Sequence, residues 1–84
     1  MDSSRKAKLV WNCRRGMLEL DLILSRFIPF LDRLTEEQFS AFEHLLTHPD
    51  PILYVWLIGQ EEPNTLQEQE IVTLIRLYHN HTTF

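Results

Sequence analysis

The feature that most constrains the fold is a repeat of apolar residues between positions 20 and 31. Its members recur three or four positions apart, a spacing that places them on one face of an α-helix. They are Leu20, Ile23, Leu24, Phe27, Ile28 and Leu31. Such a face is normally buried against other elements of a packed domain. Pro29 lies inside the repeat, and we expect it to bend this helix or to end it early.

Two later helices are predicted by the residues that would begin them. Thr35 can cap the first of these while the Gln38 side chain reaches back to the backbone. Asp50 is predicted to cap the second, with Pro51 at its first helical position and Gly59 at its end. The predicted buried residues of these two helices are Phe39, Phe42, Leu45, Leu46, Leu53, Trp56 and Leu57.

Both ends of the chain are also predicted to be helical. A first helix is expected over about residues 4–14, and a last helix is expected to begin after a cap at Asn64 or Thr65. The tail beyond His79 is expected to fray. The apolar residues that support these two helices are Ala7, Val10, Trp11, Cys13, Ile71, Leu74, Ile75 and Tyr78. The tryptophans and phenylalanines are predicted to be core residues.

These segments together predict a small all-α domain. The chain has 84 residues, and its sequence shows no strand alternation, internal repeat or flexible linker. Because the connections between the predicted helices are short, neighbouring helices should pack largely antiparallel. We therefore expect one domain over residues 1–84, built as a bundle of about five short helices.

Size and composition also restrict the class of function. A chain this short buries one modest core and has little room for an enclosed catalytic cavity, so we expect that it is not an enzyme. No apolar run approaches the roughly 20 residues of a membrane helix, and no signal-peptide pattern precedes Gly16. Cys13 has no partner for an intrachain disulfide, which favours the cytoplasm, and we expect its thiol to pack in the core.

Charge is unevenly distributed along the chain. Residues 1–16 contain five basic side chains and one acidic one, whereas residues 17–84 contain three basic and eleven acidic side chains. The acidic body argues against nucleic acid as the main partner. An alternative is a regulatory or antitoxin-like protein that uses its basic first helix to bind nucleic acid or another protein.

The candidate functional segment is Arg14-Arg15-Gly16-Met17-Leu18-Glu19-Leu20-Asp21. Glycine is poor in a helix interior, so Gly16 indicates either a helix end or a place where another backbone comes close. In the first interpretation the arginines are merely solvated and Glu19 stabilises the start of the next helix. In the second, charged side chains flank a patch without side chains to which a partner can dock. Local physics leaves both open.

Two histidines, His44 and His48, are four residues apart and could approach one metal ion. The sequence offers no convincing third ligand, so we predict no metal site. It also contains no glycine-rich phosphate loop and no Ser-His-Asp grouping. We accordingly predict no catalytic residue and no cofactor held by this chain.

The run from Trp11 to Asp21, together with Asp50-Pro51-Ile52-Leu53-Tyr54-Val55-Trp56-Leu57, resembles the succinate dehydrogenase assembly factor 2 family. The resemblance covers nearly the whole chain. It implies a five-helix FAD assembly factor that binds the flavoprotein subunit of succinate dehydrogenase, and often that of fumarate reductase. Such a factor promotes covalent attachment of FAD to a histidine of that subunit and is a helper, with FAD belonging to the partner.

By position, the resemblance places Arg15, Gly16 and Glu19 at the docking surface, with Arg14, Asp21 and Asp50 as further partner-binding candidates. The family includes bacterial and mitochondrial members, and the mitochondrial ones need a targeting segment. Because the sequence shows no such segment, we expect a bacterial, cytoplasmic protein. We also expect the free protein to be a monomer.

Overall fold

Residues 3–82, which the computed structural model describes, form five α-helices and one 3₁₀ helix, and no strand occurs among them. Side chains are described for residues 3–79. The elements are α1 (Ser3–Asn12), α2 (Leu18–Phe27), the 3₁₀ helix (Ile28–Arg33), α3 (Glu36–Leu45), α4 (Asp50–Leu57) and α5 (Leu66–Thr82). The predicted all-α fold of about five short helices is therefore confirmed.

The core is built around α5, which packs against α2, α3 and α4. The apolar repeat of α2 is buried as predicted, except that Ile28 is only partly buried. Phe27 from this repeat meets the Phe42 ring of α3 edge to face, with centroids 5.5 Å apart. The predicted faces of α3, α4 and α5 also line the core, with Leu74 and Tyr78 at its edge.

Most of the predicted helix boundaries are confirmed by their local contacts. The Thr35 hydroxyl accepts the Gln38 N–H at 3.1 Å while the Gln38 side chain accepts the Thr35 N–H at 2.9 Å. At the start of α5, the Thr65 hydroxyl accepts the Glu68 N–H at 3.2 Å. α2 ends before Pro29, and the chain continues as the 3₁₀ helix.

Gly59 ends α4 with a backbone that requires glycine. Its φ is 87°, in the left-handed region, and its N–H donates to the Trp56 carbonyl. The following Gln60 N–H donates to the Val55 carbonyl. This pair of hydrogen bonds is a Schellman motif, in which a residue with a side chain would be strained at the glycine position.

The prediction for the first helix needs correction. α1 ends at Asn12, two residues earlier than expected, and Trp11, predicted to be a core residue, is 73% exposed. The buried residues are instead Leu9 and Cys13, which share one helix face at a spacing of four. Trp11 lies midway between them in sequence, so it points about 200° away on the helical wheel.

Two other boundary predictions were wrong. Asp50 does not cap α4, because Pro49 occupies the cap position and Asp50 is the first helical residue. Its carboxylate is turned towards the loop between α1 and α2. At the other end of the chain, the tail beyond His79, which was predicted to fray, is helical through Thr82, and residues 83–84 lie outside the described part of the chain.

None of the helices within residues 3–82 is both long enough and apolar enough to cross a membrane. Two basic side chains of α1, Arg5 and Lys6, pair with acidic residues of the body. Arg5 pairs with Glu36 and, at 2.7 Å, with Glu43 of α3, while Lys6 reaches Asp32 at 2.8 Å. These ion pairs join α1 to the rest of the domain.

Candidate functional site

Arg15 anchors the loop between α1 and α2. Its side chain is only 15% exposed and donates to the Leu46 carbonyl at 2.5 Å. The same guanidinium lies 3.4 Å from an oxygen of Asp50. Because Leu46 caps the end of α3 and Asp50 begins α4, one planar side chain ties the loop to two other helices.

Two carboxylates fix the backbone of this loop. The Arg15 N–H donates to Asp21 at 2.8 Å, and the Met17 N–H donates to Asp50 at 3.3 Å. Each aspartate belongs to the first turn of its own helix, where the helix dipole favours negative charge. Hydrogen bonds to carboxylates of α2 and α4 therefore fix the conformation of the loop.

Gly16 lies at the exposed part of the loop. Its φ is outside the left-handed region, and a Cβ built at this position would meet nothing within 4 Å. Neither backbone geometry nor internal packing therefore requires glycine at this position. What the missing side chain does provide is open access to the backbone from outside.

Glu19 is exposed in the first turn of α2 and accepts a hydrogen bond from the Tyr54 hydroxyl of α4 at 3.0 Å. That hydrogen bond, with the carboxylate charge, raises the pKa of Tyr54. Arg14 is also exposed, and its Nε lies 3.7 Å from Asp21. The surface of the loop thus presents separated positive and negative groups.

Exposed apolar side chains adjoin these charges. Trp11 precedes the loop, and Leu18 and Leu22 follow it on α2, where a spacing of four places them on one face. Glu19 lies beside that face. A mixture of large exposed apolar groups and fixed charges is typical of a protein interaction surface.

The structure thus brings Arg15, Asp21 and Asp50 into one hydrogen-bonded group around the loop that carries Gly16. Glu19 and Arg14 lie at its exposed side. Sequence reasoning missed Tyr54, although Tyr54 is four residues after Asp50 and so shares its helix face. It also missed Leu18 and Leu22, which fall outside the buried repeat of α2.

Cys13, at the start of the loop, is fully buried, as predicted. Burial raises the pKa of its thiol from 9.0 to about 12, so the thiol is protonated at neutral pH. Because only the thiolate attacks thiol reagents, the side chain is unsuited to nucleophilic catalysis.

We predict that the native protein resists thiol reagents at pH 8. The raised pKa reduces the thiolate fraction of Cys13 about 1,000-fold relative to an unperturbed thiol, and burial slows the reaction further. Because a thiolate of higher pKa is also more nucleophilic, the lower thiolate fraction is partly offset, and reaction with a chromogenic disulfide should be at least about 100-fold slower than for a short peptide. Denaturant should restore the peptide rate, whereas a peptide-like rate in native buffer would contradict the buried position.

We predicted no metal site because the sequence shows no convincing third ligand beside His44 and His48, but the fold brings a third candidate ligand close to both. Glu68 of α5 lies beside both histidines, with its carboxylate 2.8 Å from the His48 Nε2 and 3.8 Å from the His44 Nε2. Glu68 is 24 residues from His44 in sequence, so only the packing of α5 on α3 reveals it.

A separate groove of about 550 Å³ lies beside the 3₁₀ helix and α5. Its lining is mainly apolar, with Arg33 as the charged contributor, and no residue of the 14–21 segment belongs to its described lining. The apolar residues that line it are Phe27, Phe30, Leu34, Leu74, Leu77 and Tyr78.

Comparisons with known proteins agree on one family. A family model described as "Flavinator of succinate dehydrogenase" matches residues 7–79. Two similar relatives are both called FAD assembly factor SdhE. The protein of Legionella pneumophila (strain Lens) is 58% identical over 77 residues, which cover 90% of this chain and 96% of the relative. The protein of Coxiella burnetii is 44% identical over 70 residues, which cover 82% of this chain and 85% of the relative.

A third relative, the FAD assembly factor SdhE of Yersinia pestis, is 38% identical over 77 residues. These cover 90% of this chain and 88% of that protein. The residues that the family model matches include the loop that Arg15 anchors and the start of α4. This chain therefore belongs to the flavinator of succinate dehydrogenase family.

Proposed function

We propose that this chain binds the flavoprotein subunit of succinate dehydrogenase and promotes the covalent attachment of FAD to that subunit. It acts as an assembly factor and performs no catalysis itself. Family membership supports this function, as do relatives whose names describe FAD assembly. The flavoprotein subunit of fumarate reductase is proposed as a further partner of the same surface.

The observation that carries the proposal is the contrast between Arg15 and Gly16. Arg15 is largely buried and holds the loop in place. Gly16 is exposed, and the fold itself does not require glycine at this position. A fixed loop with an open backbone suits docking, because little conformational entropy is lost when a partner binds. Glu19 and Arg14 would supply the charged contacts, with Asp21 and Asp50 holding the loop.

Docking would act by positioning the partner. If the partner's domains are held in one arrangement, the isoalloxazine ring and the acceptor histidine stay in reactive geometry. Glu19 then needs to transfer no proton, because its role is to contact or order a partner residue. FAD in this proposal is bound by the flavoprotein subunit, and this chain holds no flavin of its own.

The arrangement of basic side chains disfavours the nucleic-acid alternative. Four of the five basic residues in positions 1–16 lie within salt-bridge distance of acidic groups. These pairs lower the positive charge available to phosphates, which dominate affinity for nucleic acids. We accordingly propose that the partner is a protein and that this chain is a monomer when it is free. The bacterial relatives and the unpaired Cys13 support a place in the bacterial cytoplasm.

We predict that Glu19→Gln weakens binding to the purified flavoprotein subunit by about tenfold or more. The substitution keeps the size of the side chain but removes the charge, and a charge-assisted hydrogen bond contributes about 1.5–3 kcal/mol. Isothermal titration calorimetry would measure the effect. Glu37→Gln, an equivalent change at an exposed position in the first turn of α3, is the matched control and should bind normally. Equal affinities for the two variants would exclude a charged contact at Glu19.

A further inference from the structure

A second polar cluster lies outside the proposed docking site. It consists of His44 near the end of α3, His48 in the turn that follows, and Glu68 in the first turn of α5. One ligand atom from each residue lies within 4.8 Å of the other two. The docking function described above uses none of these side chains.

We propose that His44, His48 and Glu68 form a binding site for a divalent transition-metal ion of the zinc class. Two imidazoles and one carboxylate are a ligand set that zinc accepts, with a fourth position left for water. Tetrahedral bonds of about 2.0–2.1 Å place neighbouring ligand atoms about 3.3 Å apart. The distances from the Glu68 oxygen to the two histidine nitrogens, 2.8 and 3.8 Å, lie on either side of that value.

Glu68 is already oriented for such a role. The residue is only 4% exposed, and one of its carboxylate oxygens accepts the Thr65 hydroxyl at 3.1 Å. The other oxygen faces the two imidazoles. A hydrogen-bonded neighbour that fixes a ligand is a regular feature of metal sites, because it removes the entropy cost of orienting that ligand.

His48 is also held in place, whereas His44 is open to solvent. The His48 ring meets the Trp56 ring edge to face, with centroids 4.8 Å apart. His44 has 67% of its side chain exposed, so an ion can enter from that side. Without metal, His48 and Glu68 form a hydrogen bond by themselves at 2.8 Å, whereas His44 lies at the edge of this pair, with its Nε2 3.8 Å from the Glu68 carboxylate and its ring centroid 5.7 Å from that of His48. The position of His44 beside this pair therefore distinguishes a three-ligand metal site from a simple hydrogen bond between His48 and Glu68.

The consequence for the protein would be structural. An ion at this site would join the end of α3 to the first turn of α5, two segments that are distant in sequence. Since the site is incomplete in the unfolded chain, binding would favour the folded state. At a free zinc concentration 100 times the Kd, the folding equilibrium constant should rise about 100-fold.

The test uses the full chain without a histidine tag, stripped of metal with a chelator that is then removed. Zinc is titrated in competition with a chromogenic chelator, and thermal unfolding is recorded with and without zinc. We expect one zinc ion per chain and a higher Tm in its presence. His44→Gln should lower zinc affinity at least tenfold and abolish the rise in Tm, while leaving the metal-free Tm unchanged.

The matched control is Glu37→Gln, which removes a nearby exposed carboxylate from the same face but donates no atom to the cluster. It should bind zinc as the unmodified chain does. Equal zinc affinity for the unmodified chain and His44→Gln would overturn the proposal. Failure to saturate at one ion per chain, or a Tm that zinc does not raise, would overturn it as well.

Discussion

Gly16→Val is expected to reduce covalent flavin attachment at least tenfold while leaving the Tm of the protein nearly unchanged. Nothing within the chain lies within 4 Å of a Cβ at this position, so the folded state can accommodate the side chain. A partner whose backbone approaches the loop cannot accommodate the valine side chain, because the new methyl groups occupy the space that the partner needs. A loss of only about 1.4 kcal/mol in docking free energy already gives a tenfold weaker complex.

The second glycine provides the matched control for this result. Gly59 has a φ of 87°, so Gly59→Ala should lower the free energy of unfolding by about 1 kcal/mol. It should not alter flavin attachment at a temperature where the variant is folded. The two substitutions therefore separate function from stability. Full flavin attachment with Gly16→Val would show that no partner backbone comes close to the loop.

Arg15→Met is expected to lower both stability and function. It removes the hydrogen bond to the Leu46 carbonyl and leaves the Asp50 carboxylate without its cationic partner. Loss of a partly buried charged hydrogen bond costs about 2 kcal/mol, which corresponds to a fall in Tm of about 10 °C for a domain of this size. Chemical denaturation would measure the change. Flavin attachment should also fall, because the loop is no longer held against α3 and α4.

Arg15→Met combined with Asp50→Asn tests the reason for that loss. If the two side chains act as a pair, the double variant should be more stable than the sum of the single effects implies, by about 1 kcal/mol. Arg15→Lys should give an intermediate stability, since lysine keeps the charge but lacks the planar fork that reaches two acceptors. Strictly additive effects in the double variant would contradict the pairing.

Much of the fold follows from local patterns in the sequence. The repeat from Leu20 to Leu31 predicted a buried face, and Thr35 with Gln38 predicted the start of a helix, because both signals depend only on residues that are close together in the sequence. The single-domain prediction for residues 1–84 remains an expectation, although the described helices share one core. The short length of the connections also limited how the helices could pack.

The errors arose where a side chain interacts with another helix. Asp50 resembles a cap in sequence, but its carboxylate is directed to the α1–α2 loop by Arg15 and the Met17 N–H. The orientation of α1 depended on whether Leu9 or Trp11 faced the body, and a short helix of mixed apolar and basic residues does not decide this. Glu68 joins the histidines only after α5 has packed, so no local spacing could reveal it.

The roles of the motif residues fall into two groups that spacing could not distinguish. Arg15, Asp21 and Asp50 are engaged with the protein's own backbone and with one another, which predicts that they act by holding the loop. Gly16, Glu19 and Arg14 are exposed, which predicts direct contact with the partner. This division stays a prediction that the variants above would test.

The most direct test of the proposed function is covalent flavin on the partner. The flavoprotein subunit of succinate dehydrogenase is coexpressed with the unmodified chain, with Glu19→Ala or with no helper, and flavin fluorescence is measured on the denatured polypeptide. We predict strong labelling with the unmodified chain and little in the other two samples. Equal labelling in all three samples would contradict the assembly function.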